Sequence, residues 1–203
     1  MDLSLVNRRE IAQYLGIRTG EPDAETSALI EDCLLELNEK VSPAHVFRTF
    51  PLVLSGDGEG IDFTCFQVKS KNLYRNLEGC EEVLLFAATI GQGADFLIRR
   101  YEKTKMSRAA VCQAAAAAMI EAYCNEINDH WKREYEAKGC FLKPRFSCGY
   151  GDFALAHQKD YLRVLEMDKR LGIHLNDALL MVPTKSVTAV IGIGRAQGEG
   201  RVS

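Results

Sequence analysis

One stretch constrains this chain more than any other. Ser107 caps a helical pattern that runs to Lys138, just ahead of Gly139. At 1.5 Å per residue a helix of about 32 residues is about 48 Å long. A compact chain of 203 residues has a radius of gyration of about 17 Å and a diameter in the low forties of Å. The helix must therefore cross the whole molecule, bend or break. Its first half (Ala109, Ala110, Val111, Cys112, Ala114 to Ala118, Met119, Ile120) is small and apolar nearly all round, which lets other backbones pack very close. Its second half is amphipathic through Ile127, Trp131 and Tyr135.

Around that helix the pattern is mixed. Asn7 to Leu15 predicts a short helix capped by Asn7 and stopped at Gly16, and Asp23 to Val41 predicts an amphipathic one. His45 to Leu54 and Ile61 to Val68 flank a glycine-dense turn and predict a hairpin, with Pro51 suited to an edge. Ser70 to Leu77 predicts a further helical turn or two. Glu82 to Ile90 is a continuous apolar run of the kind buried on both faces. Helices are expected at Ala94 to Thr104 and Leu155 to Leu171, and strands at Leu179 to Pro183 and Ser186 to Ile193. The fold class is α+β: one domain over 1–203, long helices packed around a mainly antiparallel sheet, with a frayed tail from Gly194.

Charge and cysteine usage narrow the function. With 25 Lys+Arg against 28 Asp+Glu, the chain lacks the basic excess of a non-specific nucleic-acid binder. No apolar run is long enough to span a membrane, and Met1-Asp2-Leu3-Ser4 does not open a secretory signal, so a cytoplasmic location is expected. Seven scattered cysteines without a CxxC pair point to reduced thiols and give no metal framework. The four histidines share no ligand spacing, so no metal site and no catalytic triad is assigned.

Three places invite chemistry. Gly91-Gln92-Gly93 lies between a buried strand and a helix, where it serves either tight packing or an anion held by backbone N–H groups; it lacks the third glycine of a dinucleotide loop. Glu121 interrupts an apolar run, so it either needs a cationic partner or belongs to a solvated stripe with Gln113, Ala117, Asn125, Asn128 and Lys132. Arg145 to Tyr150 is either a clamp for a carboxylate with an aromatic face for a flat ligand, or a turn with a surface arginine. Cys148 lies inside that segment.

Arg145-Phe146-Ser147-Cys148-Gly149-Tyr150 resembles the RxxxGY element of the S-adenosylmethionine-binding activation domain of cobalamin-dependent methionine synthase. The run Met181-Val182-Pro183-Thr184-Lys185-Ser186-Val187-Thr188 is similar to that family's P-x-x-S-V-S stretch, and the resemblance extends over most of the chain from about Val83. It implies a free-standing reactivation protein. S-adenosylmethionine would be presented to cob(II)alamin carried by a methionine synthase lacking its own activation domain, with flavodoxin or a ferredoxin-type protein as electron donor. Residue by residue it implies that Arg145 binds the methionine carboxylate, that Ser147 offers backbone polar groups, that Gly149 and Tyr150 shape the groove, and that Glu121 contacts the ligand. No residue is assigned an acid–base role, since positioning supplies most of such a reaction. The sequence departs from the family at Cys148, where proline is usual, and lacks its N-terminal aspartate and late tyrosine contacts. Those gaps keep two other functions in view: a module that docks on a corrinoid protein without the ligand, and an independent methyltransferase.

Overall fold

The computed structural model describes residues 1–195. In chain order the elements are α1 (Arg8–Tyr14), α2 (Ala24–Asn38), β1 (Ala44–Pro51), β2 (Val53–Leu54), β3 (Gly60–Asp62), β4 (Gln67–Lys69) and α3 (Lys71–Leu77). Then follow β5 (Glu82–Thr89), α4 (Gln92–Glu102), α5 (Met106–Ala137), β6 (Cys140–Leu142), α6 (Gln158–Leu165) and α7 (Met167–Leu171). The strands β7 (His174–Leu175), β8 (Met181–Val182) and β9 (Ser186–Arg195) complete the described chain. The class is α+β with a mainly antiparallel sheet.

These elements form two compact units, each assembled from three segments of chain. The first comprises 1–45, 88–127 and 171–187. Its helices start where short polar side chains satisfy free backbone donors: Asn7 accepts from the N–H groups of Arg9 and Glu10, and Asp23 from that of Thr26. Ile30, Cys33, Leu34 and Leu37 of α2, Ala94 and Leu97 of α4, and Cys112, Ala115 and Met119 of α5 are buried in this unit. Glu36 of α2 accepts hydrogen bonds from Tyr101 (2.6 Å) and Arg108 (3.1 Å). Its carboxyl is held below the usual range, chiefly by the Tyr101 hydroxyl.

The second unit comprises 46–87, 128–170 and 188 onward. It carries most of a four-stranded sheet in the order β1-β5-β9-β6. From Val83 to its end β5 is buried, as its unbroken apolar run requires. Phe86 and Phe47 close edge-on against Trp131 of α5, with ring centroids 5.3 and 4.9 Å away. Strand β6 pairs antiparallel with β9, Phe141 opposite Gly194.

Several expectations need correction. The hairpin across the glycine turn exists, but it is β2 with β3, and β3 turns again at Phe63–Phe66 to pair with β4. Strand β1 instead takes the edge of the larger sheet, the position in which a strand proline is tolerated. Helix α4 starts two residues earlier than expected, at Gln92. The helix expected over Leu155 to Leu171 opens with a short 3-10 turn and divides at Glu166, whose φ of 51° is left-handed. Strand β8 is only Met181–Val182, and its partner β7 had no sequence signal. Gly194 and Arg195 complete β9 rather than opening a tail; the rest of that expected tail lies outside the described residues. Helix α5 is 32 residues long and unbroken.

Candidate functional site

The segment from Lys143 to Phe153 is held at both ends. Lys143 donates its backbone N–H to Gly192, and Phe146 and Val190 exchange two backbone hydrogen bonds of 2.9 Å, so Arg145 is carried on chain fixed to β9. The chain then turns back on itself: Gly149 N–H donates to Phe153 at 2.7 Å, and Phe153 N–H to Tyr150 at 3.0 Å. Gly149 has a φ of 92° and Gly151 one of 55°, both left-handed, which is why glycines recur here.

Beneath the turn lies an aromatic floor. Phe153 is buried, with its ring against Phe146 and His157, and Phe66 stacks on His157. Tyr161 is fully buried; its hydroxyl has no partner among the described residues, and burial pushes its pKa well up. Cys148 is buried too, and desolvation pushes its thiol up to about 12, so it is an inert core group.

Asp152 fixes the outer edge. Its carboxylate accepts from the Ser70 hydroxyl (2.5 Å) and from the backbone N–H groups of Lys71 (2.7 Å) and Asn72 (3.1 Å). It thereby caps α3 from a position 82 residues away, beside the helix's own cap Ser70. These bonds, the Ser70 hydroxyl first, lower its pKa. A β-carbon on Gly151 would lie 2.3 Å from the end of the Asn72 side chain, which would have to turn away, and the left-handed φ of 55° itself favours glycine here.

Of the five candidate residues, four come together in this turn. Arg145 and Ser147 are half-buried, Gly149 is exposed, and Tyr150 presents 70% of its surface to solvent. Beyond Gly149 the space is open, with only Leu155 Cδ1 at 3.5 Å from where a β-carbon would stand. A half-buried arginine, an open glycine and an exposed tyrosine within six residues are the residue types that suit an anionic ligand with a flat portion. Glu121 lies on α5 in the first unit and is half-buried, while Gln113, Asn125 and Lys132 on the same stripe are exposed.

Gly91-Gln92-Gly93 is a packing device. A β-carbon on Gly93 would stand 1.9 Å from the Lys40 carbonyl oxygen. Sequence reasoning missed Asp152, because a cap supplied from a distant segment leaves no local trace. Lys185 was missed as well, although a charged residue entering a buried strand was a signal.

The fold is thus an α+β arrangement of a long helix and a mainly antiparallel sheet, with a glycine turn bridged to the last strand. No family model matches the chain, and no curated protein matches it. Among solved structures it has the fold of the MetH reactivation domain bound to AdoHcy, with a TM-score of 0.67 and 16% identity over 97% of this chain and 76% of that one. At that identity the likeness is one of fold. Among the described residues no helix is long and apolar enough to cross a membrane, and no cluster of His, Cys, Asp and Glu is arranged to hold a metal ion.

Proposed function

We propose that this chain binds S-adenosylmethionine and serves as a free-standing reactivation protein for a cobalamin-dependent methionine synthase that lacks its own activation domain. The observation that carries the reading is the pinned turn from Arg145 to Tyr150, in a fold shared with a reactivation domain that holds AdoHcy. Arg145 pairs with the carboxylate of the ligand's methionine portion, a charge-assisted contact a lysine would not reproduce with two parallel bonds. Ser147 offers backbone polar groups, Gly149 leaves room for close approach, and the exposed Tyr150 ring lies along the corrin-facing side. Glu121 is proposed as a ligand contact in its own right, its carboxylate suited to a cation.

When bound, S-adenosylmethionine supplies a methyl group as a cation equivalent. One electron from flavodoxin or a ferredoxin-type protein and that methyl group convert the partner's cob(II)alamin to methylcobalamin, leaving S-adenosylhomocysteine. The protein's own part is placement, because a sulfonium held above cobalt needs orientation more than proton transfer. A cytoplasmic location goes with this role.

The test is reconstitution. A methionine synthase without its activation domain, held as cob(II)alamin, is mixed with S-adenosylmethionine, reduced flavodoxin and this protein. The cob(II)alamin spectrum should convert to that of methylcobalamin only when the protein is present. Conversion that is indifferent to the protein would remove the reading. Methyl transfer to another acceptor without any corrinoid would replace it with an independent methyltransferase. Stable association with the cobalamin-bearing partner but no use of S-adenosylmethionine would reduce it to a docking module.

A further inference from the structure

Lys185 is the buried cation that the proposed reaction does not use. It is 8% exposed, and its ammonium has no hydrogen-bond or ion-pair partner among the described residues. Its backbone is rigidly set: the Lys185 carbonyl accepts from Ile90 N–H (3.1 Å) and the Thr89 hydroxyl (3.3 Å), and Ser186 bonds both Thr89 and Pro183. The carboxylate whose field acts on it is that of Asp95, which is already engaged by the Thr184 N–H (2.8 Å) and hydroxyl (2.5 Å). Burial draws the amine's pKa below its usual value, with the field of Asp95 opposing. A lysine this enclosed, with no ion-pair or hydrogen-bond partner for its charge among the described residues, is a candidate for holding an anion.

The side chain lines an open depression of about 490 Å³ in the first unit. One wall is α5, whose Ala110, Gln113, Ala114 and Ala117 fall at i, i+3, i+4 and i+7 and so share one face. Three of those four are alanine, which leaves the depth that longer side chains would fill. Tyr14 and Leu15, at the end of α1, form the opposite wall. The volume is in the range of small-molecule sites, and the lining is mostly apolar with few polar groups.

We infer that this depression is a binding site for a small organic monoanion, a carboxylate with a compact apolar body, whose charge pairs with Lys185 and whose body lies on the alanine face of α5. One ammonium and one neutral amide, Gln113, balance a single negative charge; a phosphate dianion would be left under-compensated. The depression and the Arg145 turn share no residue, and the inference does not rest on the reading given for that turn.

The test is an amide-resolved NMR titration of the whole protein with hexanoate, with hexanamide and inorganic phosphate as comparators. Hexanoate should give saturable shifts at Ala110, Gln113, Ala114 and Ala117, with hexanamide and phosphate weaker by at least about tenfold. Lys185→Met, which keeps the length and removes the charge, should weaken hexanoate by the same factor. S-adenosylhomocysteine should not displace it. The inference fails if hexanoate gives no saturable shift, if hexanamide or Lys185→Met matches the wild-type affinity for hexanoate, or if S-adenosylhomocysteine competes. Should Lys185→Met not fold, hexanoate against hexanamide on the wild-type protein decides the matter.

Discussion

Replacing Gly93 by alanine sets two opposing effects against each other. Gly93 is the second residue of α4, and alanine there adds helix propensity of at most about 1 kcal/mol. Against that, the new methyl would lie 1.9 Å from the Lys40 carbonyl oxygen and 2.7 Å from its carbonyl carbon. Those are backbone atoms just past the end of α2, so no rotamer change relieves the clash, and α4 must move by more than an ångström. Overpacking of this kind costs about 1–3 kcal/mol and occasionally more. The net destabilisation should be about 1–2 kcal/mol, or roughly 2–8 °C in Tm for a chain of this size. Gly56→Ala is the control, because its β-carbon meets nothing within 4 Å. It should be neutral or raise stability by about 0.4–1 kcal/mol through the unfolded chain. Urea unfolding of the three proteins reads the difference as a fall in midpoint at constant slope. A Gly93→Ala protein as stable as wild type would refute the packing account and reopen an anion-binding role for the Gly91-Gln92-Gly93 turn.

Other outcomes follow from the same geometry. Trp131 is the chain's single tryptophan and is buried against Phe47 and Phe86. Its emission should be blue-shifted and shielded from acrylamide, and Trp131→Ala should cost about 3–5 kcal/mol in denaturant unfolding. Cys148, with a thiol at about 12 against an ordinary 9.0, should resist a disulfide reagent at pH 8 until the protein unfolds; rapid labelling of the folded protein would contradict its burial. Because its folded pKa is raised, its contribution to stability is complete below pH 9 and is lost as the pH rises toward 12. A pH-stability curve for wild type against Cys148→Ala should show that difference. Asp152→Ala removes the distant cap of α3 and should speed hydrogen exchange at the Lys71 and Asn72 amides; unchanged exchange would contradict its role as their acceptor.

What could be read from the sequence was what is decided locally. Asn7, Asp23 and Ser70 each announce a helix start because the cap contacts residues two or three positions on. The run from Val83 to Ile90 announces a buried strand because both faces are apolar. Strand partners are not local: His45 to Leu54 has the pattern of a hairpin arm, yet only Val53 and Leu54 pair across the glycine turn, and β1 goes to β5. At the site, the turn's glycines and arginine were visible as residue types. The bond from Asp152 to α3 joins segments about 80 residues apart, so no spacing rule could reveal it.

The central claim is that the Arg145 turn holds S-adenosylmethionine, and calorimetry of that ligand against wild type and Arg145→Ala tests it most directly. A charge-assisted pair of this kind contributes about 1.5–3 kcal/mol, or about 10- to 150-fold in Kd. The account predicts saturable heat with wild type at one ligand per chain, weakened by that factor in Arg145→Ala with the fold unchanged. No binding by wild type, or equal binding by both proteins, would contradict it.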